Sequence, residues 1–398
     1  MSLYKNFQFS IEATSGGARA GILKTPHGDV HTPAFIFCAT KAATRVATPQ
    51  VLREEGTEII LANTYHLMLQ PTADVVEQQG GLQQFTGWRG PMLTDSGGFQ
   101  IFSMGHGHVA DEIKGRRTGK NEKSLLKITE DGATFRSYVD GRKITLTPED
   151  AMDIQRKLGA DLVVVLDECT PFNVDKAYTQ KSLYMTNRWA KRCLTHFEKN
   201  DTGKQALYGI VQGGIYEDLR KESVEFLNGE NFFAHAIGGS LGQNREQMYD
   251  VVRFTAQYLR KDRPVHLLGI GGIRDIWEHA SQGIDTFDCV HPTRLARHGG
   301  ALTVNNKERI NLPNARYRND SRPIDEHCTC YTCRNFSRSY LHHLVRTGEP
   351  LAHSLLSIHN IHFMNTLMRT VRQSILENTF EETKKEWLQR LEEPVGEK

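Results

Sequence analysis

Eight short apolar runs, spaced along most of the chain and separated by helical patterns, constrain the fold more than any other feature. They are "TPAFIFCAT" (32–40), "TEIILANTY" (57–65), "PMLTDSGG" (91–98), "DLVVVLDE" (161–168), "ALYGIVQGG" (206–214), "FFAHAIGGS" (232–240), "PVHLLGIGG" (264–272) and "IDTFDCVHPT" (284–293). Continuous rather than alternating apolar strands imply a sheet covered on both faces, hence parallel pairing. The intervening "TPEDAMDIQRKLG" (147–159), "QMYDVVRFTAQYLR" (247–260) and "GIRDIWEHASQG" (272–283) have helical spacing. The first of these begins with Thr147-Pro148 and two acids, a good helix start. Eight strand–helix units predict a (β/α)8 TIM barrel as a single catalytic domain over 1–398. A doubly wound open sheet is the alternative. "GIGG" (269–272) is no dinucleotide fingerprint, because Arg274 stands where the third glycine belongs.

Two segments interrupt the rhythm. Residues 104–146 are polar, and their "TFRSYVDGRKITL" reads as a hairpin through Asp140-Gly141. A second insertion runs from about 300 to 360 and contains a cysteine cluster. No stretch approaches the roughly 18 apolar residues of a membrane span, and the start lacks the apolar core of a secretory signal, so a cytoplasmic protein is expected.

In such a barrel the chemistry sits at the carboxyl ends of the strands. Those ends carry Asp95, Asp167, Gln212, Gly238-Gly239 and Asp288. Three carboxylates and an amide make an acceptor-rich mouth, suited to a donor-rich nitrogenous ligand rather than a phosphate. A carboxylate can accept from N1–H and the 2-amino group of a guanine-like base while an amide donates to O6. Two aspartates also suit glycosidic-bond chemistry, one attacking an oxocarbenium-like carbon while the other moves a proton. In "TDSGGFQIFS" (94–103) the glycines permit a close backbone approach beside Asp95, although an Asx-turn closing a loop would use the same residue types.

Seven cysteines divide into two groups. Cys38, Cys169, Cys193 and Cys289 are single and read as small buried hydrophobes. Cys328, Cys330 and Cys333 form C-x-C-x2-C, a thiolate nest for a structural zinc ion, with His359 or His362 of "SIHNIHF" available as fourth ligand. A redox cluster is the alternative. The net charge of only +2 means that any nucleic-acid surface is local. One such stretch lies between His291 and Arg346, where ten Lys and Arg face four acids. "KGRRTGKNEKSLLK" (114–127) is also basic and reads as a solvated loop.

The chain resembles the bacterial queuosine-type tRNA-guanine transglycosylases over nearly its whole length. The resemblance is carried by "ANTYHL" (62–67), "TDSGGFQIFS" (94–103), "LDECTPF" (166–172), "LYGIVQGG" (207–214), "DTFDCVHPTR" (285–294), "CTCYTC" (328–333) and "SIHNIHF" (357–363). It implies a (β/α)8 barrel with a zinc-binding subdomain near the C-terminus, usually homodimeric. It also implies exchange of guanine at wobble position 34 of GUN-anticodon tRNAs for queuine or its precursor 7-aminomethyl-7-deazaguanine (preQ1), a pentosyltransferase reaction. Transferred by position, Asp288 is the nucleophile and Asp95 the general acid/base. Asp167, Gln212 and Gly239 hold the base, and Ser96, Gly97, Gly98 and Phe99 line its pocket. Gly269, Ile270, Gly271, Gly272, Ile273, Arg274 and Asp275, with Thr293, Arg294, Leu295, Ala296 and Arg297, face the tRNA. The zinc ligands become Cys328, Cys330, Cys333 and His359, one structural Zn2+.

Two departures from the family pattern stand out. The usual Leu-Ala-Val-Gly-Glu after the paired glycines is replaced by Ser240, Leu241, Gly242 and Gln243, removing an acid that favours the cationic aminomethyl precursor. This predicts a preference for queuine itself. "GIGGIRD" also lacks the family's usual lysine. Two other classes compete. A zinc-dependent barrel hydrolase would use His106 and His108, and a non-catalytic RNA-binding paralogue would lack the nucleophile that Asp288 supplies.

Overall fold

The computed structural model of the chain describes residues 3–105, 125–170, 174–239 and 241–393. Strands β1 (Gln8–Ser15), β2 (Ala18–Thr25) and β3 (Gly28–Thr32) form an antiparallel sheet. Barrel strands β4 (Ala34–Cys38), β5 (Ile60–Ala62) and β6 (Met92–Thr94) follow. The first insertion then supplies β7 (Leu125–Thr129), β8 (Gly132–Arg136) and β9 (Lys143–Leu146), a second antiparallel sheet. The barrel resumes with β10 (Leu162–Val164), β11 (Ala206–Val211), β12 (Ala234–Ile237), β13 (Val265–Leu267) and β14 (Thr286–Cys289). A small pair, β15 (Gly300–Leu302) and β16 (Arg309–Asn311), follows.

The eight barrel strands pair in parallel and close, β14 lying against β4 with Asp288 opposite Ile36. Each of the eight apolar runs contains one of them, so the open-sheet alternative is excluded. The helix Pro148–Leu158 begins with a capping box between Thr147 and Asp150 and ends at Gly159, whose φ of 78° is the left-handed conformation glycine adopts cheaply. The hairpin forms as read: Arg136 pairs with Lys143 around a turn in which Gly141 has φ 74°. Residues 106–124, including His106, His108 and most of the basic stretch 114–127, lie outside the described residues, as does Ser240.

The N-terminal sheet was not legible as part of the barrel design, yet it is tied to the barrel's amino-terminal end. Arg19 donates from Nε to Asp285 Oδ1 at 2.9 Å and from Nη2 to Oδ2 at 2.5 Å, and its remaining hydrogens reach the carbonyls of Lys261 and Arg263. Asp285 also accepts from the Val265 amide at 2.6 Å. At the same end Asp161 accepts from Gln83 and the Met92 amide, and contacts His27. These buried carboxylates are saturated by protein donors and serve the fold, as expected of the face opposite the mouth.

A second, smaller apolar cluster includes Ala296, Ile310, Leu312, Tyr317, Ile324, Leu341, Leu344 and Leu356. The helix Pro350–Leu376 joins it to the barrel, burying Leu355 and Leu356 of its first turns in this cluster and Met364, Leu367 and Val371 farther along in the barrel core. Among the described residues no helix is long and apolar enough to cross a membrane.

Candidate active site and metal centre

Asp95 follows β6 directly, and its carboxylate is held chiefly by residues just beyond the end of the neighbouring strand β5, where the helix Thr64–Leu69 begins. The Thr64 amide donates to Oδ1 at 2.8 Å and Asn63 Nδ2 donates to Oδ2. Gln100 adds a further side-chain hydrogen bond. The local turn is closed by Ser96, whose Oγ accepts from the Gly98 amide at 3.3 Å. Burial pushes Asp95 up to about 6 against the pull of these donors, and the charge of Asp288 adds to the rise.

Asp288, near the end of β14, has its Oδ1 held by the Gly269 amide at 2.9 Å. His266 Nε2 lies 3.2 Å from the same oxygen, and Cys38 Sγ lies 3.6 Å from Oδ2. The thiol is a weak donor, so Oδ2 is the less engaged oxygen. Of the four single cysteines read as buried hydrophobes, Cys169 is partly exposed, and Cys38 and Cys289 depart from the reading as well. Both are partly exposed and flank Asp288, because strands that end at the mouth put their last side chains on its rim. Cys193 is buried, as expected.

Asp167 and Gln212 meet at 2.6 Å, Gln212 Nε2 donating to Oδ2. Burial pushes Asp167 up to about 7, with Asp95 and Glu168 raising it further. Gln212 Oε1 is buried without a hydrogen-bond partner. The loops beyond β11 and β12 are fixed by the buried Arg220, which donates to the carbonyls of Gly214 at 2.7 Å and Gly238 at 2.9 Å. Gly239, at φ 79°, is packed so closely on Gln212 that a Cβ would lie 2.2 Å from Oε1.

The paired glycines make a close approach, but to the protein itself. A Cβ on Gly97 would sit 3.1 Å from the Tyr65 amide nitrogen, and one on Gly98 would sit 2.7 Å from the Asp167 carbonyl oxygen. Their small size draws the Asp95 and Asp167 segments together. Phe99 beyond them is about half exposed at 47%.

Along the stretches expected to face RNA, Gly271, Ile273, Thr293, Leu295 and Ala296 are buried, and Asp275 is engaged by Tyr249 and Arg245. Gly269 and Arg294 are exposed, while Ile270, Gly272, Arg274 and Arg297 are partly so. Sequence reasoning gave no role to Asn63 and Thr64, although polar residues following an apolar strand run are the signal that found Asp95. His266 offered no signal, being one polar residue inside an apolar run.

In the second insertion, Cys328, Cys330, Cys333 and His359 bring their ligand atoms within 4.8 Å of one another. His359 Nδ1 lies 3.6, 3.7 and 3.3 Å from the three sulfurs in that order. The edge of a tetrahedral zinc site built from ordinary Zn–S and Zn–N bonds is about 3.6 Å, so the donor set fits. His359 Nε2 is 2.9 Å from the Leu302 carbonyl, which fixes the tautomer that leaves Nδ1 free for metal. His362 is committed elsewhere, to Glu55 at 2.6 Å. All four ligand positions are filled by protein, leaving no coordination site for substrate.

The chain matches the family described as "Queuine tRNA-ribosyltransferase" over residues 14–393. A protein of that name from Roseiflexus sp. (strain RS-1) is 46% identical over 394 residues, covering 96% of this chain and 98% of the relative. Proteins of the same name from Thermodesulfovibrio yellowstonii and Staphylococcus aureus (strain JH9) are each 43% identical, over 97% and 94% of this chain and 95% and 93% of their own lengths. With a closed eight-stranded barrel and a Cys3His centre alongside, the chain belongs to the queuine tRNA-ribosyltransferase family and is a pentosyltransferase.

Proposed function

We propose that the protein exchanges guanine at wobble position 34 of GUN-anticodon tRNAs for a free deazaguanine, through a covalent ester between Asp288 and ribose C1′. The observation that carries this reading is the placement of two carboxylates, Asp95 and Asp288, at strand ends of one barrel mouth, each held by its own backbone amide, beside the separate Asp167–Gln212 pair. Asp288 Oδ2 attacks C1′ as the C1′–N9 bond breaks, and Asp95 gives a proton to the departing guanine. The incoming base returns its N9 proton to Asp95 as its nitrogen displaces Asp288. A carboxyl near 6 populates both protonation states around neutrality, which such a shuttle requires. Asp167 accepts from the base N1–H and 2-amino group, with Gln212 and Gly239 bounding the pocket.

The zinc ion would be held by Cys328, Cys330, Cys333 and His359 and supply folding energy rather than reactivity. Among the residues expected at the RNA, Gly269, Ile270, Arg274, Arg294 and Arg297 are accessible to it. A homodimer suits the exposed Tyr331 and Tyr340 beside the metal centre.

For the incoming base we favour queuine. Leu241 and Gly242 bring no charge, and Glu246, the next acid along the chain, is exposed in the first turn of the helix Arg245–Tyr258. Exchange rates with queuine and with the aminomethyl precursor test this, and faster use of the precursor refutes it. The reaction itself is tested with Asp288→Asn and radiolabelled guanine: exchange and the covalent RNA adduct disappear while tRNA binding persists. Undiminished exchange in that variant overturns the mechanism.

A further inference from the structure

Near Arg294 and Arg297, the rim of the barrel mouth carries a second group of residues to which the reaction assigns nothing. Tyr138, at the turn between β8 and β9, is 47% exposed despite its size. Its hydroxyl is 2.9 Å from His66 Nδ1, and its ring makes an edge contact with the imidazole at 5.6 Å. Tyr65 lies 5.8 Å away at a 33° tilt. Lys41, in the loop after β4, places Nζ 5.5 Å from the centre of the Tyr138 ring.

These contacts connect Tyr138 to the chemistry by a short route. His66 and Tyr65 belong to the helix Thr64–Leu69, whose first residue donates its amide to Asp95. The ring is therefore joined to the helix whose first amide holds the proposed acid/base. The neighbouring charge is positive: Arg45 is exposed in the same loop as Lys41, and both Arg45 and Arg294 act on the partly buried Arg297. A large aromatic surface held at a fixed angle by its own hydroxyl, with an ammonium group beside it, matches what a single-stranded nucleotide offers: a flat base and a phosphate.

We propose that Tyr138 is a stacking platform for a base of the RNA strand adjoining the exchanged nucleotide, with Lys41 pairing the neighbouring phosphate. The assignment rests on the reading of RNA as substrate. The hydrogen bond to His66 holds the ring in place, so less freedom is lost when a base settles on it.

The test uses the full-length protein and a GUN-anticodon tRNA. Tyr138→Ala raises KM for tRNA about tenfold or more, the scale of one lost base stack, and leaves KM for the free base unchanged. Tyr138→Phe, which keeps the ring, stays within a few-fold of the parent. Lys41→Ala lowers the slope of log affinity against log salt by about one. Fluorescence of 2-aminopurine placed next to position 34 is quenched on binding to the parent and not to Tyr138→Ala. An alanine variant with parental tRNA KM and parental quenching overturns the proposal, as does one that changes only the oligomeric mass. Failure of the parent itself to exchange guanine strikes at the functional reading and is separately visible.

Discussion

Gln212 donates its side-chain amide to Asp167 across 2.6 Å, from the end of one barrel strand to the end of its neighbour. That bond orients the Asp167 carboxylate without neutralising it, and leaves Gln212 Oε1 buried with no hydrogen-bond partner. A buried acceptor in that state is costly, and under the proposed function a donor-rich base would relieve the cost on arrival.

Base affinity depends on pH through Asp167. Burial pushes this carboxyl up to about 7, so the free protein holds its proton below neutrality. The bound base donates N–H groups that favour the ionised form, so binding releases a proton and weakens as pH falls below about 7. The expected slope approaches tenfold per pH unit, flattening above 7. Calorimetric titration with guanine in buffers of different ionisation enthalpy reads the proton release directly. Asp167→Asn removes the dependence and lowers affinity by roughly a hundredfold, because its amide turns donors toward donors. A pH-independent affinity in the parent between pH 5.5 and 8 contradicts this role.

Metal binding separates two histidines three residues apart. His359 points Nδ1 at three sulfurs, whereas His362 pairs with Glu55 at 2.6 Å. His359→Ala therefore loses zinc and melts the cluster around Ile310, Leu341 and Leu356, while His362→Ala keeps one zinc per chain and loses a largely buried hydrogen bond to Glu55, worth about 1–3 kcal/mol. Metal content by mass spectrometry and thermal unfolding of both variants decide the point. Equal zinc loss from the two would break the assignment.

Much of the fold was legible because barrel strands are buried on both faces. Continuous runs such as "DLVVVLDE" and "PVHLLGIGG" suit a sheet covered on both sides and little else, and the polar or glycine residues ending most runs locate the mouth. The cysteine spacing marked the metal centre and left His359 and His362 both open; the family resemblance chose His359, and the physical reason lies in the Leu302 carbonyl of β15, which engages Nε2 of that imidazole. The N-terminal sheet was missed because its function is expressed through Arg19, whose partners Asp285, Lys261 and Arg263 lie more than 240 residues away. His266 and Tyr138 escaped for the same reason: neither stands at a strand end, and each acquires meaning only from a neighbour remote in the chain.

The glycines of "TDSGGFQ" give the sharpest separation of fold from site. Gly97 has φ 85° and already abuts the Tyr65 backbone, so Gly97→Ala combines a left-handed conformation with a tight contact on main-chain atoms. A loss of about 2 kcal/mol or more of stability is expected. Gly98 has ordinary backbone angles, yet its added methyl would meet the Asp167 carbonyl oxygen at 2.7 Å. Gly98→Ala should therefore displace Asp167 and raise KM for the base more than it lowers the melting temperature. Gly141 provides the control, having φ 74° with nothing within 4 Å of a Cβ: Gly141→Ala costs about 1 kcal/mol of conformational strain and leaves exchange untouched. Melting curves and base KM for the three variants, measured side by side, distinguish strain, displacement and neither. If Gly98→Ala kept parental base affinity, the close packing of that glycine on Asp167 would have no part in shaping the pocket.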